Sequence, residues 1–262
     1  MKRLFKLSLL SAAILSAGLL QACENSPHQI KQEAVENSVN AFPSTYAPFP
    51  SEPSVILGAT VLTGTGEQID DGAVIIENGK ITYVGPSADA TPPKGAVMID
   101  GKGKFVTPGI IDIHSHLGTS PSPRTASTYD TNEAVAANTA DVWIEHSVWP
   151  QDPGFTRALA GGVTSLQILP GSANLFGGRS VTLKNTPGRT VQGMKFPDAP
   201  YGMKMACGEN PKRVYGKKGG PSTRMGNVAG YREDWIKAQA YKTSWDNYDG
   251  TGKPPKRDLK LE

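Results

Sequence analysis

Asp112, His114 and His116 alternate along the run Thr107-Pro108-Gly109-Ile110-Ile111-Asp112-Ile113-His114-Ser115-His116. In an extended strand, residues i and i+2 project from one face, about 6–7 Å apart along the backbone. Two imidazoles so placed can turn ring nitrogens onto one ion, and neutral imidazole suits Zn²⁺ and related divalent cations. Such an ion lowers the pKa of water and polarises a carbonyl, which is the chemistry of metal-assisted hydrolysis. The same His-x-His spacing also fits two surface histidines at a strand end, or core histidines satisfied by neighbours. The surrounding sequence favours the metal. Only two other histidines are available, His28 and His146.

The elements that must position this pair are readable on both sides. Ile110, Ile111 and Ile113 form a near-continuous apolar run, as expected of a strand buried on both faces of a parallel sheet. The histidines fall at its C-terminal end, where barrel chemistry sits. Upstream, Val55-Ile56-Leu57, Val61-Leu62, Val74-Ile75-Ile76 and Ile81-Thr82-Tyr83-Val84 are short β-rich runs separated by turn signals. Asn78-Gly79 between two of them is the strongest short hairpin signal. Residues 54–106 therefore predict a small β-sandwich or a five- to six-stranded sheet.

Downstream, residues 132–149 predict a helix with Thr131 as N-cap and His146 near its end, capping or solvated. A second helix over 153–160 is ended by Gly161-Gly162 and feeds a buried strand over 163–169. This alternation is βαβ logic and implies a parallel sheet. The Gly-rich loop 170–179 offers Ser172, Asn174 and Arg179 as substrate contacts or as plain turn residues. Residues 180–184 predict a strand hairpinned with 191–194, and 201–211 a strand running into a loop. Cys207 has no paired histidine in sequence and reads as a small buried thiol. Residues 230–245 predict an amphipathic helix with Trp235, Ala238, Tyr241 and Trp245 inward.

From Val55 to His116 the chain resembles the amidohydrolase superfamily, particularly its imidazolonepropionase-like branch. The likeness rests on the β-rich preface, Thr107-Pro108-Gly109 and Asp112-x-His114-x-His116, and it continues in Gly161-Gly162-Val163-Thr164-Ser165. The resemblance implies an α/β protein: a small N-terminal β-sandwich unit (54–106) followed by the first part of a (β/α)8 TIM barrel (107–262). It implies a hydrolase of carbon–nitrogen bonds, with His114 and His116 holding one or two divalent ions, zinc foremost. In that family the third barrel strand often ends in an anionic ligand, a glutamate or a carboxylated lysine. Glu209 is the first choice here and Lys204 the alternative. Asp112 would orient one imidazole from behind. The family's further His ligands and its catalytic Asp come from later strands. The general base is therefore expected beyond residue 262, and the chain is read as the N-terminal part of a longer enzyme. Small cyclic amides, amidines, other non-peptide amides or, in a metallo-dipeptidase, dipeptides fit as substrates. A catalytically inactive, lipid-anchored binding or scaffold protein is the competing reading.

Composition narrows the partners. With 27 Lys+Arg against 24 Asp+Glu over 262 residues, the formal charge of +3 is too small to argue for nucleic acid. Two cysteines exclude a disulfide framework and a Cys-rich zinc site. The N-terminus reads as an address. A basic Met1-Lys2-Arg3-Leu4-Phe5-Lys6, an apolar stretch over 7–20 and Leu20-Gln21-Ala22-Cys23 make residues 1–22 a signal peptide. The final four residues resemble a lipobox, with Cys23 as the lipidated position. Residues 23–53, punctuated by prolines, read as a tether. The expected location is the periplasmic side, lipid-anchored, with the outer membrane favoured over the inner because Glu24 follows the cysteine. The membrane is met through that anchor only.

Overall fold

The computed structural model describes residues 42–262. The predicted signal peptide, Cys23, His28 and most of the predicted tether lie outside the described residues. The chain divides into one unit made of Ser44–Lys242 with Lys256–Glu262, and a second that includes Thr243–Pro255.

The first unit opens with β1 (Ser54–Leu62), β2 (Gln68–Glu77), β3 (Lys80–Pro86), β4 (Val97–Asp100) and β5 (Phe105–Val106). They form one five-stranded sheet in the order β3-β2-β1-β4, with β5 also paired to β1. β1 and β2 run antiparallel with Val55 opposite Ile75, and β1 and β4 run parallel. Ala59, Val61 and Val74 make its small core. The second layer of a sandwich is absent among the described residues. Asn78 and Gly79 turn β2 into β3 with φ of 52° and 72°, the left-handed pair that a two-residue hairpin requires.

β6 (Ile110–Ser115) then pairs parallel with β7 (Val163–Ile168), Ile110 opposite Val163 and Ser115 opposite Ile168. Between them lies α1 (Pro153–Ala160), at the predicted position. Asp152 caps it, accepting from the Gly154 amide, and Pro153 opens the first turn, where its missing N–H costs nothing. This is the βαβ unit that the sequence predicts. The next strand departs from that pattern. β9 (Val181–Lys184) lies antiparallel to β7, giving a three-stranded sheet β6-β7-β9. β8 (Phe176–Arg179) and β10 (Met203–Met205) form a separate antiparallel pair. Leu166, Ile168, Val181, Leu183, Phe155 and Met194 build the main core.

Several expectations are corrected. The helix over 132–149 does not form; that stretch holds only a single 3₁₀ turn, Ile144–His146, with His146 exposed at its end. Its backbone is satisfied by the loop opposite. Asn174 donates to the carbonyls of Glu133 and Ala136 and to Thr139 Oγ1, while the Leu175 and Arg179 amides donate to Ala137 and Val142. Asn174 is thus a buried structural residue. Residues 191–194 form a short helix, α2, capped by Thr190, not the partner strand of β9. Ile110, Ile111 and Ile113 are exposed, Ile113 by 73%. β6 is hydrogen-bonded along one edge only, and no described strand pairs with its other edge. Cys207 is exposed.

α3 (Glu209–Tyr215) and α4 (Arg224–Asp246) complete the helices. Tyr231 of α4 packs edge-on to Phe176 with ring centroids 5.5 Å apart. Trp235 also touches Phe176 but is largely exposed, against expectation. Among the described residues no helix is long and apolar enough to cross a membrane.

Candidate metal centre

The alternation of β6 does for the histidines what their spacing predicted: both rings lie together, centroids 5.3 Å apart and nearly perpendicular. His116 Nδ1 is 2.8 Å from the Leu169 carbonyl oxygen. A carbonyl can only accept, so Nδ1 carries the proton, and in the neutral ring Nε2 is then the nitrogen with a lone pair to offer a cation. This is the usual outer contact of a metal-binding imidazole. Leu169 follows β7 directly and its amide donates to the Ser115 carbonyl, so the parallel pairing of β6 and β7 sets this contact.

Asp112 makes its hydrogen bond to the backbone and not to a ring. Its Oδ1 accepts from the His114 amide at 3.1 Å, which replaces the expected orientation of an imidazole.

The third member is Lys204. It sits on β10 opposite Gly178 of β8, buried, and its Nζ lies 3.0 Å from His114 Nε2. No carboxylate pairs with this ammonium among the described residues. Burial holds the Lys204 amine below the usual lysine range. The neighbouring Lys204, then burial, then His116 hold the His114 imidazole below its ordinary value, against a smaller opposing pull from Asp112. The contact needs one donor and one acceptor, so both groups cannot be protonated at once.

Glu209 is placed elsewhere. It is the first residue of α3, exposed, with its carboxylate 3.9 Å from Arg213 Nε one turn on. A helix-start carboxylate facing solvent is stabilised where it is, by the helix dipole and by Arg213. Among the described residues no three of His, Cys, Asp and Glu converge into a group that could hold a metal. The cluster the fold does assemble is therefore His114, His116 and Lys204. The signal for Lys204 is faint in sequence: a lone cation between Met203 and Met205 in an apolar strand.

Asp152, unremarked in sequence, steadies the loop that leaves this site. One carboxylate oxygen caps α1, and the other accepts from the Gly118 amide at 2.8 Å.

Over 188 residues the chain is 38% identical to the amidohydrolase tasK of Hapsidospora irregularis, a match spanning 68% of this chain and 19% of that protein. A solved amidohydrolase from Thermotoga maritima MSB8 superposes with a TM-score of 0.71 at 38% identity, covering 79% of this chain and 53% of that one. The chain resembles amidohydrolases in sequence and in fold. The amidohydrolase likeness extends over 49 residues to an imidazolonepropionase of Sphingopyxis alaskensis, at 51% identity, over 19% of this chain and 12% of that protein. This chain thus spans about half of the Thermotoga amidohydrolase and about a fifth of tasK. No protein-family model matches it.

Proposed function

We propose that this chain supplies the metal-holding part of a hydrolase that cleaves carbon–nitrogen bonds outside peptides, in small cyclic amides, amidines or other amides. The observation that carries this reading is the approach of Lys204 Nζ to His114 Nε2 at 3.0 Å, beside a His116 whose ring is already held by Leu169. Similarity to amidohydrolases supports the reaction class.

The donor set fits a divalent cation, with zinc the foremost candidate and one or two ions to be held. His116 offers Nε2, and His114 offers the nitrogen that now meets Lys204. Lys204 completes the set by carboxylation. The neutral amine attacks carbon dioxide, an N–C bond forms, one C=O electron pair moves onto oxygen, and the amine proton leaves to solvent. The resulting carbamate is an anionic oxygen donor held where a protonated amine would repel a cation. When bound, a divalent cation supplies Lewis acidity and a nucleophilic water at neutral pH. Asp112 holds the His114 backbone, and the Leu169 carbonyl keeps His116 in one tautomer.

The proposal extends to the address. Cys23 carries lipid, the mature chain begins there, and the protein sits on the periplasmic side of the outer membrane, reaching a small-molecule substrate and no nucleic acid. Mass spectrometry of the mature N-terminus tests this: a diacylglyceryl-cysteine supports it, and an unmodified Cys23 contradicts it.

This chain alone is expected to be inactive, since the base is read as lying outside it. The reaction is therefore tested by offering the complete zinc-loaded hydrolase a panel of hydantoins, imidazolones, N-acyl amino acids and dipeptides. Turnover of non-peptide amides that is lost in His116→Ala supports the assignment. Turnover confined to dipeptides favours a metallo-dipeptidase. Stoichiometric zinc with no turnover favours a binding or scaffold role.

A further inference from the structure

The candidate centre is split between two sheets. His114 and His116 belong to β6-β7-β9, whereas Lys204 belongs to β8-β10. The two sheets are joined through Ser180, the single residue between β8 and β9, whose Oγ accepts from Gln167 of β7 at 3.1 Å. No described backbone ladder adds to that one link, so it leaves the angle between them to side chains. Tyr201, three residues before Lys204 in the chain, belongs to a group the proposed chemistry does not use. Glu145 and Lys195 are both buried and paired at 2.7 Å, and the Tyr201 hydroxyl bonds to Lys195 and approaches Glu145 Oε1 at 3.4 Å.

Lys195 is tied to one sheet, and Tyr201 with the segment that carries Glu145 to the other. Lys195 bridges to Leu183 of β9, and the following Phe196 amide donates to the Thr182 carbonyl at 2.9 Å. It therefore moves with the histidine sheet. Tyr201 leads into β10. The next residue, Gly202, donates to Ser180 Oγ and accepts from the Ser180 amide, both at 2.8 Å, and Met203 pairs with Arg179 of β8. It therefore moves with the lysine sheet. Trp143, two residues before Glu145, bridges to Arg179 and packs edge-on to Tyr201 at 4.6 Å.

We propose that the buried Glu145–Lys195 pair and the Tyr201 hydroxyl act as a positioning device that fixes Lys204 against His114 by joining the two sheets. The energetics suit that role better than a stabilising one. Taking two charges out of water is costly and is repaid only by good geometry, so such a pair adds little net stability over apolar packing. What it supplies is a single relative placement, because the pair closes at one separation only. The proposal rests on the reading of Lys204 as a metal ligand.

The test uses the full chain and two conservative variants, Tyr201→Phe, which keeps the ring, and Glu145→Gln, which keeps the shape. The first measurement needs no metal. Trace acetylation with acetic anhydride, read by mass spectrometry, should change severalfold at Lys204 and stay constant at exposed Lys94 and Lys102. An unchanged Lys204 rate in Tyr201→Phe overturns the proposal. A uniform change at all three lysines also overturns it, since that marks general loosening. The second measurement is Co²⁺ affinity, followed by visible absorption. Tyr201→Phe should weaken it about tenfold, the usual range for an outer-shell partner, and should add nothing in a Lys204→Ala background. An equal loss in both backgrounds shows that Tyr201 acts through another route and overturns the proposal. Should the wild type take up no Co²⁺ while Lys204 labelling shifts as expected, the metal reading fails and the positioning stands. If Glu145→Gln does not fold, Tyr201→Phe carries both measurements.

Discussion

Lys204 Nζ and His114 Nε2 face each other at 3.0 Å although 90 residues separate them in sequence and they lie on different sheets. An amine held against an imidazole, with no described carboxylate to balance it, is a poor resting place for two cations and a good one for a third charge of different origin. The consequences reach the residues behind the pair.

Gly178 stands opposite Lys204 in the ladder with φ of +112°, and a Cβ there would come within 2.6 Å of the Val142 carbonyl oxygen. Gly178→Ala should therefore cost about 1–3 kcal/mol from backbone strain alone, with backbone displacement adding to it. Urea denaturation measures the loss, and a variant as stable as the wild type contradicts the placement.

Asp152 joins the cap of α1 to the loop after His116. Asp152→Ala removes the cap, about 1 kcal/mol, and leaves the Gly118 amide short of an acceptor, a further ~1–3 kcal/mol. Asp152→Asn keeps one acceptor and should lose less. Equal losses in the two variants, from the same denaturation experiment, would show that the second contact contributes nothing.

These residues mark what was legible in the sequence and what was not. The Asn78-Gly79 turn, α1 with its cap and glycine stop, and the His114/His116 pair follow from local rules: positive φ, N-capping and the two-residue period of a strand. The failures are long-range. Residues 132–149 lose a helix because Asn174 and its neighbours, some 35–41 positions on, take their carbonyls and amides. Glu209 looked like a rim ligand because it follows a strand, but the chain turns into α3 there and carries it to solvent. Lys204, named in sequence as the alternative to Glu209 through the family resemblance alone, takes its place from a pairing with Gly178 that no local pattern announces. The burial expected of Ile110, Ile111 and Ile113 assumed layers packed on both faces of the sheet, and among the described residues these side chains are left exposed.

Tyr231 supplies a pH dependence. Its hydroxyl donates to the Ala206 carbonyl, and burial, with a smaller push from Cys207, raises its pKa to about 12. The unfolded phenol titrates near ~10. The folded state thus holds the proton more tightly, so the contribution is fully present below about pH 10 and is lost as pH rises through about 12. Unfolding free energy measured across that window should fall more steeply in the wild type than in Tyr231→Phe. Parallel curves would mean that Tyr231 titrates as it does in the unfolded chain.

The most direct measurement is zinc content after equilibrium dialysis in bicarbonate buffer, on the full chain and on His114→Ala, His116→Ala and Lys204→Ala. The account predicts stoichiometric zinc in the wild type, its loss in all three variants, and no loss in Glu209→Ala. A wild type that stays metal-free, or a Lys204→Ala variant that holds zinc as tightly as the wild type, would contradict it.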